Sequence, residues 1–190
     1  MIDVGAAATG LTGAWRLARL DRAGMRYFEA TPEAFWRSFQ AAIVAAPIYA
    51  LLVLLRADDH PLSPDPVRAA LIEVIGYVIQ WTAFPLAAWY LCRAFNCSGR
   101  YFGFMVAYNW ANVLQFIAFV PVALLSVSGW VPGSLVNILA LLFTGAVVYY
   151  QYFIARTALA IDALPALAFV ATDFIIGLFL DAVETSMHMQ

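Results

Sequence analysis

The sequence contains no lysine; all ten of its basic residues are arginine. Charge of either sign is scarce. Only 12% of the 190 residues are charged, about half the share of a soluble domain. Hydrophobic residues make up 64%. A soluble core of this size cannot hide so much apolar surface, so the expected solvent is lipid. The net charge is −2, which leaves no basic excess to meet a polyanion and excludes nucleic acid as a partner class.

Catalytic signatures are missing too. There is no HExxH pair, no GxSxG elbow, no glycine-rich phosphate loop and no set of paired cytoplasmic carboxylates. No enzyme activity and no cofactor are expected. Cys92 and Cys97 have no further Cys or His near them in sequence, so they read as reduced thiols at a helix end and not as metal ligands. His60 and His188 are the only histidines. The closing "MHMQ" pairs imidazole with thioether, a donor set that suits copper, but one histidine and two methionines are too few to define a metal site. The opening "MIDVGAAATG" lacks a basic segment followed by an apolar one, so no cleaved signal peptide is expected.

Long apolar runs are what the chain does have. Five are near the length of a bilayer crossing: about 39–55, 67–92, 101–127, 135–155 and 164–180. Pro47 should kink the first. The fifth is among the shortest, reaching only ~25 Å at ~1.5 Å per residue, so it must stand upright or thin the bilayer. Asp65 and Pro66 look like the N-cap and first position of the second span. The fold class is therefore all-α: a polytopic membrane protein with five transmembrane helices. Its expected divisions are a cytoplasmic segment 1–38, a membrane domain 39–182 and an external tail 183–190.

Within the first segment, "WRLARLDRAGMRYF" places Arg16, Arg19, Arg22 and Arg26 on one helical arc. Leu11, Ala14, Leu17, Leu20 and Phe28 lie opposite, with Trp15 out of place. Two readings fit: an amphipathic helix over about 11–23 lying on anionic headgroups through its arginines, or a helix packed on the bundle. "TPEAFW" then restarts a helix with Thr31 as N-cap, Pro32 first and Glu33 in the first turn.

Arginine asymmetry sets the expected orientation. With the N-terminus inside, Arg16, Arg19, Arg22, Arg26, Arg37, Arg93, Arg100 and Arg156 are cytoplasmic. Only Arg56 and Arg68 fall outside, diluted by Asp58, Asp59 and Asp65.

The polar residues inside the spans are the candidate site. Asp173 sits near the middle of "ALAFVATDFIIGLFLDAV". A carboxylate there costs ~2.5–3.5 kcal/mol on insertion scales, so it should face the bundle, be protonated, or both. Its expected neighbours are Gln80 in the second span, Gln115 in the third and Thr144 in the fourth. Asn109, Asn112 and Gln115 recur every three residues beside a small-residue stripe of Gly103, Ala107, Ala111 and Ala118. That combination lets helices approach and bond across the contact, so the third span should be central. The polar set fits a packing network, a proton, ion or ligand path, or a contact with another subunit.

The stretch "YLCRAFNCSGRYFGFMVAYNWANVLQFIAFVPVALL" resembles the Yip-domain family, five-span membrane proteins that include Rab-interacting members and many bacterial relatives. A basic, Gly-containing turn leads into an aromatic helix, here with Tyr108 and "NWANV" in its middle and the proline delayed to Pro121. "YYQYFIARTALAIDALPALAFV" is similar to that family's fourth span, inner turn and fifth span. The likeness covers about 35–180. The long soluble N-terminal region and acidic-aromatic signature of eukaryotic members are absent, which removes Rab binding from what it implies. What remains is five helices with an inner N-terminus and an outer C-terminus in a bacterial inner membrane. The function expected is non-enzymatic: organising or binding membrane components through helix faces, with the bilayer and another membrane protein, or a second copy, as partners. The alternatives are a small transporter or channel with a polar midplane site at Asp173, and an accessory subunit of a larger complex.

Overall fold

The computed structural model describes residues 3–55 and 63–189, and among them every regular element is helical. The expected outer residues Arg56, Asp58, Asp59 and His60 lie outside the described residues. Seven α-helices follow in order: α1 Val4–Ala18, α2 Pro32–Ser38, α3 Gln40–Leu55, α4 Pro66–Ala94, α5 Tyr101–Ser128, α6 Gly133–Leu159 and α7 Ala163–His188. Five units are long and apolar enough to cross a membrane: Pro32–Leu55, Pro66–Ala94, Ser98–Ser128, Gly133–Leu159 and Ala163–His188. The chain is a polytopic α-helical membrane protein.

The starts follow the expected chemistry. The Thr31 hydroxyl accepts the Ala34 N–H at 3.1 Å ahead of Pro32. Asp65 accepts the Val67 N–H at 2.9 Å ahead of Pro66. α5 ends on Gly129 in the left-handed region, φ 66°, a conformation that glycine adopts without a Cβ penalty. α3 runs through Pro47 without a break.

Two boundaries differ from the sequence reading. α2 joins α3 into one candidate span, so the division expected at residue 38 falls inside it. The fifth helix continues to His188, which makes it 26 residues long and not the shortest span. The supposed tail is therefore helical as far as His188. Its charges are held by α4, as the site geometry shows.

The five spans form a ring in the order α3, α5, α6, α7, α4. α5 touches most of the others and carries the largest set of buried residues, as expected for a central third span. At the arginine-rich end the ring is filled by aromatics packed edge-to-face and tilted: Phe84 on Phe104 and Tyr108, and Phe104 on Phe169. There Arg100 also donates to the Leu159 carbonyl at 2.9 Å. At the opposite end α4 leans on α7, and α6 stays with α5.

The N-terminal helix is not the one the arginine arc suggested. α1 begins at Val4 and stops at Ala18, because the chain turns at Leu20 with φ 60°. Arg16 is helical, Arg19 is the C-cap, and Arg22 and Arg26 belong to a separate 3-10 turn over 22–27. No single arc of four arginines exists. The reason is local bonding. Asp21 caps the 3-10 turn through the Ala23 N–H at 2.9 Å and pairs with Arg16 at 2.6 Å. The Ala23 N–H and then Arg16 hold the Asp21 carboxyl below its ordinary range. The Tyr27 hydroxyl, then Asp21, hold the Arg16 guanidinium above its own.

α1 packs on α5 through Gly10 and on α6 through Ala14, while Gly13 and Leu17 pack on the turn over 22–28, the second of the two readings. The Tyr150 hydroxyl donates to the Ala14 carbonyl at 2.7 Å. A Cβ on Gly10 would lie 2.5 Å from the Trp110 ring, so the helix sits this close only because nothing projects there. Gly10→Leu is expected to lever α1 off α5 and destabilise the protein by about 1–3 kcal/mol, the usual cost of overpacking. The check is the melting temperature in mild detergent; an unchanged value would mean that α1 is not seated against Trp110.

Candidate functional site

The far half of the ring encloses a cavity of about 730 Å³. Its wall is polar along regular stripes. α5 contributes Tyr108, Asn112 and Gln115, at i, i+4 and i+7. At 100° per residue these fall within about 60° of arc. α6 contributes Asn137, Thr144 and Gln151, seven residues apart and within about 40°. α7 contributes Asp173, Asp181 and Glu184, and α4 contributes Gln80. Leu52, Phe119 and Phe143 supply apolar surface between them.

Asp173 sits ten residues into α7, about 15 Å along a helix of about 39 Å. It faces inward, as expected. Its hydrogen-bond partners are not among the expected neighbours Gln80, Gln115 and Thr144. The Tyr108 hydroxyl donates to Asp173 Oδ1 at 2.5 Å. Gln151 is its second hydrogen-bond partner, and Asn112 bonds the Tyr108 phenol. The core of the site is therefore a chain of four polar side chains from three helices.

The expected residues divide as follows. Asn112, Gln115, Gln80 and Thr144 all line the cavity with Asp173. Asn109 does not. It is 1% exposed and donates to the Ser38 hydroxyl at 2.7 Å, tying α5 to the α2–α3 joint. The i, i+3, i+6 spacing that grouped Asn109 with Asn112 and Gln115 spreads over about 120°, wider than one helix–helix contact. Tyr108 and Gln151 escaped sequence reading because each sits among aromatics, "VAYNW" and "YYQYF". Their signal was the seven-residue rhythm that each shares with its helix's other polar residues. Two buried atoms lack a partner among the described residues, Asn109 Oδ1 and Gln115 Nε2.

A second polar group closes the far end. Glu73 accepts the Tyr49 hydroxyl at 2.7 Å and lies 3.1 Å from His188 Nε2. His188 Nδ1 accepts the Ser63 N–H at 3.2 Å. An Nδ1 that accepts a backbone N–H leaves the neutral ring's proton on Nε2, where it donates to Glu73. Arg68 donates to the Met187 carbonyl at 2.9 Å. The "MHMQ" imidazole is thus engaged at both nitrogens by the protein itself. Glu184 fits against Gly76, where a Cβ would collide with its carboxyl. Cys92 and Cys97 are both buried free thiols.

Comparison with protein-family models, with curated proteins and with solved structures finds nothing that matches this chain. The functional reading therefore rests on composition, fold and this geometry.

Tyr108→Phe is expected to remove one donor from Asp173 and lower stability by about 0.6–1.5 kcal/mol. Asp173→Leu should cost more, because it strands Tyr108 and Gln151 together. Asn109→Leu should destabilise through Ser38 without altering the environment of Asp173. Melting temperatures, with the carboxyl stretch of Asp173 followed by infrared difference spectroscopy, check all three. An Asn109→Leu spectrum shifted as far as that of Tyr108→Phe would refute the division.

Proposed function

We propose that the protein binds a small hydrogen-bonding molecule in the cavity and carries or presents it within the membrane. One observation supports this most: polar stripes from three helices converge on open space between the apolar spans. Polar groups there are costly, and a network meant only for packing would be closed on itself. Here Asn112, Gln115, Thr144 and Gln151 border a cavity large enough for a ligand. The protein is proposed to be no enzyme, and its residents and partners to be lipid and other membrane components.

The second reading is a Yip-like organiser that acts through its helix faces, or an accessory subunit of a larger complex. Its support is the resemblance over 35–180 and the broad apolar surface of α4, α6 and α7. In either case the proposed location is a bacterial inner membrane with the N-terminus in the cytoplasm. Arg16, Arg37, Arg93, Arg100 and Arg156 all belong to one end of the ring, and the positive-inside rule assigns that end to the cytoplasm.

The orientation is tested by impermeant maleimide on sealed cells, with both native cysteines replaced by alanine. Met189→Cys should label from outside, and Gly99→Cys only after lysis; the reverse pattern would invert the topology. The cavity is tested by mass spectrometry of protein purified in mild detergent. A small molecule should co-purify with the wild type and be depleted at least about tenfold from a Gln151→Leu, Asn112→Leu double variant that still folds. Equal amounts in both, or none in the wild type, would count against binding and favour the organiser.

A further inference from the structure

The far half of the cavity has a side opening. α7 packs on α5 with its first half, through Phe169 on Phe104 and Asp173 on Tyr108. With its second half it packs on α4, through Glu184 at Gly76 and His188 at Glu73. α6 meanwhile stays with α5, where Phe143 packs on Phe119. The two helices therefore part company beyond Asp173. Gly177 marks the gap: it lines the cavity, yet a Cβ there would meet nothing within 4 Å. Phe174 and Leu178 also line the cavity while 47% and 57% exposed, so this wall is continuous with the lipid-facing surface.

The charge of the lining is one-sided. Asp173, Asp181 and Glu184 line the cavity, and no basic residue does so among the described residues. A phosphate or carboxylate head would meet carboxyls and, among the described lining residues, no cation to balance it. An ammonium would find acceptors: Tyr108 and Gln151 occupy part of the Asp173 carboxylate, and its two oxygens offer about four sites.

Building on the cavity reading above, we propose that the occupant is a single-chain amphiphile with a cationic, hydrogen-bond-donating head, a long-chain amine, which enters from the bilayer between α6 and α7. The head reaches the Asp173 cluster and the tail leaves past Phe174 and Leu178. Gly177 keeps the doorway clear.

The test uses the full chain in phosphatidylcholine nanodiscs, titrated with dodecylamine, dodecanol, dodecanoate and propylamine. Binding is read by intrinsic tryptophan fluorescence, since Trp81 lines the cavity. Dodecylamine should bind about tenfold more tightly than dodecanol, the worth of one charge-assisted hydrogen bond. Asp173→Asn should erase that preference while dodecanol still binds. Gly177→Trp should weaken both, and if that variant does not fold, the wild-type ranking decides alone. Propylamine binding as tightly as dodecylamine, or a preference for dodecanoate, would overturn the proposal. If a molecule co-purifies but dodecylamine does not displace it, the amine fails and the cavity reading stands. If nothing co-purifies and no probe binds, both fail.

Discussion

Lipid offers no hydrogen bonds, and α5 carries Tyr108, Asn109, Asn112 and Gln115 through it. Every other helix is placed so that these groups point at protein or at the cavity. Asn109 draws in the α2–α3 joint through Ser38, and Tyr108 draws in α7 through Asp173. Asn112 and Gln115 face the hollow that α6 and α7 enclose. The small residues Gly103, Ala107 and Ala111 let neighbours come close enough to bond, with Gly103 lying against Ala30. Because such bonds average only ~0.6 kcal/mol in membranes, they select one arrangement of helices more than they stabilise it.

The two ends of the ring are built differently. The arginine-rich end is packed solid with aromatic rings and sealed outside by α1, whose Gly10 admits Trp110 and whose Ala14 carbonyl accepts from Tyr150. The opposite end is hollow and is held by the Glu73, His188 and Tyr49 bonds. Solid packing at one end and a polar hollow at the other give the bundle a direction.

Hydropathy alone made the spans legible, because nothing soluble needs five such runs. Their limits were not. The last two turns of α7 hold Asp181, Glu184 and His188, which lower local hydropathy, but Glu184 fits against Gly76 and His188 meets Glu73 on neighbouring α4. The arginine arc failed because a helical wheel assumes an unbroken helix, and Leu20 in the left-handed region breaks it. At the site, Asp173 was legible as a lone carboxylate, and Asn112, Gln115 and Gln80 as amides at its depth. Tyr108 and Gln151 were not, since tyrosine reads as apolar bulk and an amide among aromatics reads as an exception. Asn109 was grouped by spacing with residues that its helix turns away from it.

The far-end latch joins residues that are far apart along the chain: Ser63 and His188 are separated by 125 positions. α4 turns Glu73 and Gly76 toward α7, which follows it in the chain only after α5 and α6. During stepwise insertion that face must wait through α5 and α6 for His188, with the Glu73 carboxyl held meanwhile by Tyr49. The Tyr49 bond is local enough, 24 residues, to form as soon as α3 and α4 pair. It acts as a placeholder. The hairpin of α3 and α4 can hold this carboxyl until α7 arrives, and the contact of α7 with α4 then closes the ring.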